Sequence, residues 1–243
     1  MAVVRLEDFR RLWIGQIFSQ LADKFYIVLM VFLIAQHWVS QDAQSSGAMA
    51  EVASAIRMDI ETRAQRITLL ATGIYVANTV PAVLLGMLAG VWADRWPKRR
   101  VMVASNAMRA LLVLLAPVCL LPGPELLGLS WGYWALLLMT FLESVLTQFF
   151  APAEQAAIPL LVPNTLLLAA NSLYQATSMA ATIVGFALGQ PILRLLNQSL
   201  ASLGLSGGEF LLLPFCYGMA ALSLSTIRLR ETPSRPNLSL IHI

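Results

Sequence analysis

Long apolar stretches separated by short polar connections run through the whole chain. Six of them are long enough to cross about 30 Å of hydrocarbon at roughly 1.5 Å per helical residue. These predicted spans cover positions 12–38, 67–93, 101–121, 131–150, 169–193 and 209–227, with boundaries placed to within a few residues. The pattern therefore predicts an all-α membrane protein with six transmembrane helices.

Composition agrees with lipid as the solvent of this chain. Its residues are 58% hydrophobic and only 12% charged, and its mean hydropathy is +0.72, values far from those of soluble domains. The connection over residues 40–66 is long, and Met49, Val52, Ile56 and Ile60 recur in it at helical spacing. We expect an amphipathic helix there, lying on the outer surface.

Basic residues outside the spans are distributed unevenly between the two sides of the predicted bundle. One side has ten, namely Arg5, Arg10, Arg11, Arg95, Lys98, Arg99, Arg100, Arg228, Arg230 and Arg235. The other side has four: Arg57, Arg63, Arg66 and Arg194. Because cytoplasmic connections are the basic ones, both ends of this unit are predicted to be cytoplasmic. The basic residues form no patch interleaved with exposed aromatics, so no nucleic-acid partner is expected.

Ionisable side chains inside the spans are the first candidates for function. Asp23, Lys24, Arg109 and Glu143 each lie within a predicted helix, where a charge needs a partner, a wet cavity or a function. Counting along the helices puts Asp23, Arg109 and Glu143 in one layer, about 12–16 Å from the cytoplasmic side. Asp23 is the candidate proton-coupling carboxylate, because a buried carboxylate can load and release a proton; binding a cationic substrate or neutralising Lys24 is its alternative role.

Two ion pairs are expected from these depths. Arg109 and Glu143 have equal depth and opposite charge, so pairing inside the bundle is the least costly way to hold both. A static brace and a working switch are equally compatible with that pair. Glu154 is expected to pair with Arg99 or Arg100 at the cytoplasmic ends of the helices.

Polar residues also line single faces of the first and fifth helices. Gln16, Gln20 and Asp23 are spaced four and three residues apart, so they share a face that cannot point at lipid. On the fifth helix, Asn171 and Gln175 begin a stripe that continues through Ser178, Thr182, Gly185 and Gly189. The glycines fit close helix packing. The two amides favour a water-lined cavity over packing.

The connection between the second and third spans has a recognisable pattern. Gly90 is followed after three residues by Asp94 and Arg95, and then by Arg99 and Arg100. This pattern resembles the loop signature of the major facilitator superfamily, with Pro97 in place of the second glycine. A short connection between two helices must turn sharply, and Asp94 can act as an anion at the N-terminus of a neighbouring helix. The resemblance implies that these residues form a conformational-switch loop.

Other segments resemble bacterial multidrug and siderophore exporters of that superfamily. Residues 9–13, with Asp23 and Arg109, match the exporters' first and third helices, and residues 152–173 match the region between their fourth and fifth. The resemblance implies a secondary transporter of the inner membrane that moves a small hydrophobic or amphipathic molecule by alternating access, without a cofactor, as proton-coupled efflux. A lysophospholipid flippase of the same superfamily and a non-transporting six-helix scaffold are the alternatives.

Members of the superfamily have twelve helices in two halves, with the substrate site between the halves. Residues 1–236 therefore resemble the N-terminal half, and the C-terminal six-helix half is an expected partner. Residues 238–243 also read as the translation of a transposon-end sequence used in sequencing libraries, so we expect an adapter or truncation artefact over residues 237–243. A natural six-helix protein that pairs as a homodimer is the alternative.

One motif suggests an enzyme instead. The run from Gly128 to Gly132 matches the Gly-x-Ser-x-Gly elbow of serine hydrolases, with Ser130 as the nucleophile. Such a serine needs a histidine base, and the predicted second to sixth helices contain none, since the two histidines are His37 and His242. The sequence therefore does not predict an enzyme.

Overall fold

The computed structural model describes residues 3–38, 51–202, 204 and 207–229, without the side chains of residues 38, 51–60 and 93–94. Over these ranges the chain is almost entirely helical. The long helices are α1 (Glu7–Leu33), α2 (Glu51–Arg95), α3 (Lys98–Leu114), α4 (Trp131–Leu161), α5 (Leu167–Ala201) and α6 (Leu212–Ser225). With the helical turns that adjoin them, they give six segments long and apolar enough to cross a membrane. The predicted all-α membrane fold is confirmed.

Short elements join the helices. A helical turn at Ile34–Trp38 follows α1, and others at Ala116–Leu120, Asn164–Leu166 and Gly208–Phe210 lie between the later helices. Strands β1 (Glu125–Leu126) and β2 (Leu129–Ser130) pair antiparallel before α4. Ser130 then caps α4, because its Oγ accepts a 3.4 Å hydrogen bond from the Tyr133 N–H.

Three helices are longer than their predicted spans, and one of them is α5, which continues past position 193 to Ala201. α4 continues beyond Phe150 to Leu161, although Glu154 and Gln155 end the apolar run in the sequence. α2 runs without a break from Glu51 to Arg95, so residues 51–66 extend a spanning helix and do not form the separate surface helix that we expected. No glycine or proline between Glu51 and Arg66 would end a helix there. The other expected residues of that connection, 40–50, lie outside the described residues, as do Arg230, Arg235 and residues 237–243.

The packing of the helices has an internal symmetry. α1 packs against α5 and α6, α4 packs against α2 and α3, and α3 packs against α6. Exchanging α1 with α4, α2 with α5 and α3 with α6 reproduces the same set of contacts. Because successive spans alternate in direction, α1 and α4 run opposite ways, so the two three-helix repeats are related as an inverted pair.

Arginine side chains join three helices at one end of the bundle. Arg11 Nη1 donates a 2.9 Å hydrogen bond to the Thr226 carbonyl, and Arg99 donates one to the Ser225 carbonyl. These contacts bring the start of α1, the start of α3 and the end of α6 together. We call this the basic end, and the opposite end, with the β1–β2 hairpin, the far end.

The buried interior has three layers along the bundle axis. One apolar cluster at the far end includes Phe25, Tyr26, Leu29, Met30 and Leu136. A second apolar cluster at the basic end includes Phe9, Leu12, Met102, Phe150 and Ile158. Buried polar residues lie between these clusters along α1, α3 and α4, namely Gln16, Ser19, Ser105, Asn106, Arg109, Thr140, Glu143 and Ser144.

Candidate functional site

The middle layer is built around the guanidinium of Arg109. This side chain is fully buried, and its Nη1 lies 2.8 Å from Asp23 Oδ1. The same nitrogen lies 4.0 Å from Glu143 Oε1. The structure thus brings together the three residues whose depths predicted a common layer. Arg109 and Glu143 do approach each other, but Asp23 is the closer partner.

Two aromatic rings hold the guanidinium in place. Arg109 Cζ lies 4.7 Å from the centre of the Phe150 ring and 5.0 Å from the centre of the Tyr217 ring. A cation at this distance from an aromatic face is attracted by the ring quadrupole, most strongly where water is excluded. The Nε and Nη2 atoms of Arg109 are buried and have no hydrogen-bond partner. Arg109 therefore has hydrogen-bonding capacity that this conformation does not use.

Tyr217 on α6 connects the two carboxylates. Its hydroxyl lies 2.8 Å from Asp23 Oδ1 and 3.0 Å from Glu143 Oε1. The sequence reasoning missed this residue. A signal was present, since Tyr217 has the one phenol in the predicted sixth span, and a buried tyrosine hydroxyl needs a partner.

Further hydrogen bonds extend the polar layer across the bundle. Ser19 donates to Asn106 Oδ1 at 3.0 Å, which joins α1 to α3. Tyr26 and Thr140 lie 3.0 Å apart through their hydroxyls, which joins α1 to α4. Buried polar groups in an apolar surrounding are costly when unpaired, so these bonds fix how the helices face one another.

Gln16 and Gln20 of the predicted polar face of α1 turn towards α5, whereas Asp23 turns towards α3 and α6. Gln16 is buried and donates a 3.0 Å hydrogen bond to the Tyr174 carbonyl. Gln20 accepts a 3.5 Å hydrogen bond from Ser178. The expected close packing at the α5 glycines is present as well, because a Cβ at Gly185 would lie only 2.3 Å from the Cβ of Lys24. This approach leaves no room for a side chain at position 185.

The two amides of the α5 stripe lie elsewhere. Asn171 and Gln175 are exposed on the surface of α5, and the structure does not bring them to the Arg109 cluster. α5 and α2 are the least buried of the six spans, and they expose Met179, Ile183, Val83 and Met87 at 66%, 70%, 76% and 89%. The polar amides therefore begin a face that this chain itself leaves open.

The predicted switch loop is a tight turn. Only Trp96 and Pro97 separate α2 from α3, and Pro97 stands where a missing N–H breaks no helical hydrogen bond. Arg95 and Arg100 are exposed, while Arg99 makes the bond to Ser225 described above. No side-chain atom lies within 4 Å of a Cβ built on Gly90. The side chain of Asp94 lies outside the described parts.

The expected pairing of Glu154 is wrong. No ion pair among the described residues joins Glu154 to Arg99 or Arg100. Glu154 is instead fully buried, and its Oε2 accepts a 2.9 Å hydrogen bond from the Tyr174 hydroxyl. The physical reason is the length of α4: the helix runs past Glu154 to Leu161, so this residue lies inside the bundle and not at its end.

The serine of the hydrolase-like motif has a structural role. Its hydroxyl caps α4 at the start of that helix. Ser130 and His37 both line a cavity of 820 Å³ at the far end. A capping hydroxyl that accepts a backbone hydrogen bond is a common helix start, so this serine stabilises the start of α4.

Comparisons with known proteins agree with this architecture. The sequence model of the Major Facilitator Superfamily matches residues 12–239. Proteins named uncharacterized MFS-type transporters from Mycobacterium tuberculosis and Mycobacterium bovis are each 31% identical over 113 residues, which is 46% of this chain and 24% of theirs. This chain therefore aligns with about a quarter of the length of those relatives. No solved structure shows a significant match. With six apolar helices in two inverted repeats and a family match over nearly its whole length, this chain belongs to the major facilitator superfamily of membrane transporters.

Proposed function

We propose that this chain is one six-helix half of a proton-coupled secondary transporter, which exports a small hydrophobic or amphipathic molecule by alternating access. Asp23, Arg109 and Glu143 form its proton-coupling centre. Membership of the superfamily supports transport as such. The finer parts of the proposal depend on the chemistry of the buried cluster and on the open face of α2 and α5.

The contacts of Tyr217 are the observation that supports proton coupling. A phenol has one proton, so its hydroxyl can donate to Asp23 or to Glu143, but not to both at once. Both short contacts are satisfied when Tyr217 donates to one carboxylate and the other carboxyl, carrying its own proton, donates to the phenol oxygen. With one carboxyl protonated, the charges of the remaining carboxylate and of Arg109 cancel. A buried cluster without net charge costs less free energy than a buried cluster with an unpaired charge.

The open face supports a second half as partner. α2 and α5 expose large apolar side chains such as Val83 and Ile183, and Asn171 and Gln175 form a polar strip beside them. We propose that a second six-helix half covers this face, and that the amides line the substrate pathway between the halves together with Gln20. Gln16, which is buried, supports this pathway from behind by holding α1 against α5. Substrate sites of such transporters lie between repeats near the midplane.

The basic end supports an orientation. Arg11 at the start of α1 and Arg99 at the start of α3 both bond to carbonyls at the end of α6, and basic residues mark the cytoplasmic side of a membrane protein. We propose that the chain lies in the inner membrane as a multi-pass protein, with the ends of this unit on the cytoplasmic side. The turn of Gly90, Asp94 and Arg95 would then face the cytoplasm as the switch loop.

The deciding experiment uses the complete transporter in proteoliposomes with an imposed pH gradient. Asp23→Asn keeps the size of the side chain and removes its ability to release a proton, so gradient-driven transport should be lost while the protein still folds and binds substrate. Glu125→Gln is the matched control, because Glu125 is an exposed carboxylate of the far-end hairpin. Undiminished proton-driven transport by Asp23→Asn would remove Asp23 from the coupling mechanism.

A further inference from the structure

Glu154 is a buried carboxyl that the proton-coupling centre does not use. Its side chain is 0% exposed, and its neighbours along α4 include Phe150, Ala153, Ala157 and Ile158, which all lie in the apolar cluster of the basic end. The Tyr174 hydroxyl bonds one oxygen, and the other oxygen, Oε1, is buried without any hydrogen-bond partner. A carboxyl in such surroundings needs an explanation.

No cation neutralises this carboxyl in the observed conformation. None of the ion pairs among the described residues involves Glu154. The titratable groups that act on it from the packed helices are Tyr174 on α5, Arg109 on α3 and Asp23 on α1. Of these, only Tyr174 is bonded to it, and a phenol donor is neutral. An unpaired charge in an apolar interior is far more costly than a neutral carboxyl, which favours a proton on Glu154.

Glu154 lies on the same side of α4 as Glu143. The series Glu143, Thr147, Phe150 and Glu154 is spaced four, three and four residues apart, which is one helix face. The two carboxyls are therefore separated by about 16 Å along the helix axis. Arg109 rests on the ring of Phe150, at 4.7 Å, and Phe150 is about one turn from Glu154. The guanidinium thus lies between the two carboxyls along α4.

We propose that Glu154 is a second proton-binding carboxyl of the transport pathway, and that it releases its proton when the guanidinium of Arg109 moves to pair with it. This proposal rests on the proposed proton coupling and extends it to the basic end. The unused Nε and Nη2 donors of Arg109 and the unpartnered Oε1 of Glu154 are the groups that this exchange would satisfy.

The exchange keeps the buried charge constant. In the observed arrangement Glu154 and one carboxyl of the centre are protonated, and Arg109 pairs with the ionised Asp23. When Asp23 takes up a proton, Arg109 is released and moves about one helical turn to Glu154. The proton of Glu154 then leaves towards the basic end. One proton enters, one proton leaves, and the guanidinium always faces one ionised carboxylate.

Infrared spectroscopy of the purified complete transporter in nanodiscs tests the proposal without measuring transport. At neutral pH, Glu154→Gln should remove one protonated-carboxyl carbonyl band from the spectrum. Tyr174→Phe should move that band to higher frequency, because the carbonyl loses its hydrogen bond. Glu125→Gln is the matched control and should leave the protonated-carboxyl region unchanged, since Glu125 is exposed.

The second arm tests the exchange itself. Asp23→Asn imitates the protonated aspartate and frees Arg109, so it should abolish the band of Glu154. If the spectrum of Glu154→Gln keeps every protonated-carboxyl band of the wild type, Glu154 does not carry a proton and the proposal is overturned. A Glu154 band that persists unchanged in Asp23→Asn overturns the exchange. If both infrared results are as expected but a pH gradient drives no transport, the coupling proposal fails and the second site stands.

Discussion

Arg109 Nη1 lies 2.8 Å from Asp23 Oδ1, and this contact joins α3 to α1 at the centre of the bundle. Asp23 is partly accessible, with 19% of its side chain exposed, whereas Arg109 has none. The cation is thus the enclosed member of the pair, and the carboxylate is the member that solvent can reach. A proton can therefore arrive at Asp23 while Arg109 remains buried.

Removing the cation should strongly destabilise the protein. Arg109→Gln leaves Asp23 and Glu143 facing each other without a compensating charge, and breaking a buried pair in this way costs about 3–5 kcal/mol. We expect a clear fall in the thermal unfolding temperature of the purified protein in detergent.

The matched double variant separates charge from packing. Asp23→Asn combined with Arg109→Gln removes both charges, so it should recover a large part of the stability lost in Arg109→Gln alone. Equal unfolding temperatures for the single and double variants would mean that Arg109 acts through its packing on Phe150 and Tyr217, and not through its charge.

Loss of the Tyr217 hydroxyl should change proton coupling as well as stability. Tyr217→Phe removes the group that bridges Asp23 and Glu143, and leaving buried polar partners unpaired costs about 1–3 kcal/mol. Because the two carboxyls then lose their shared hydrogen bond, the number of protons moved per substrate should fall. Transport measured at several pH gradients gives this ratio.

Tyr26→Phe is the matched control for that variant. The Tyr26 hydroxyl is also buried, and it lies 3.0 Å from the hydroxyl of Thr140 in the middle layer. Among the described residues, it makes no hydrogen bond to a carboxylate. A similar loss of stability is expected, with the proton ratio unchanged. A change of ratio in both variants, or in neither, would contradict a specific role for Tyr217.

The helices and the central layer could be predicted from the sequence because of one physical property of the α-helix. A helix rises by a constant distance per residue, so counting from the ends gives the depth of each side chain. That count was sufficient to bring Asp23, Arg109 and Glu143 together. It could not choose Asp23 as the closer partner of Arg109, because the choice depends on how each helix is rotated about its axis.

The same limitation explains what was missed. Tyr217 and Glu154 acquire their partners from the rotation of α6 and from the continuation of α4, which apolar periodicity does not report. Glu154 was placed at a helix end because polar residues close the apolar run near Phe150. The helix nevertheless continues through Pro152 and Pro159, and prolines inside membrane helices are tolerated where neighbouring groups satisfy the freed backbone.

A side chain at Gly185 should separate α1 from α5. Its Cβ would lie 2.3 Å from the Cβ of Lys24, so Gly185→Ala forces a backbone shift, and overpacking of this kind costs typically about 1–3 kcal/mol. We expect a lower unfolding temperature. Gly218→Ala on α6 is the control, because nothing lies within 4 Å of a Cβ there, and a helical glycine replaced by alanine should be neutral or stabilising. Equal effects of the two substitutions would contradict the close approach of α1 and α5.

The orientation of the bundle predicts which engineered thiols are reachable from outside the cell. Cys119 and Cys216 are both buried, so the protein has little background reactivity with a membrane-impermeant maleimide. Glu125→Cys, on the far-end hairpin, should react in intact spheroplasts, because the proposed orientation places the side opposite the basic end outside. Arg100→Cys, at the basic end, should react only after the membrane is opened. The reverse pattern would place the basic end outside and would remove the proposed direction of proton movement from Asp23 to Glu154.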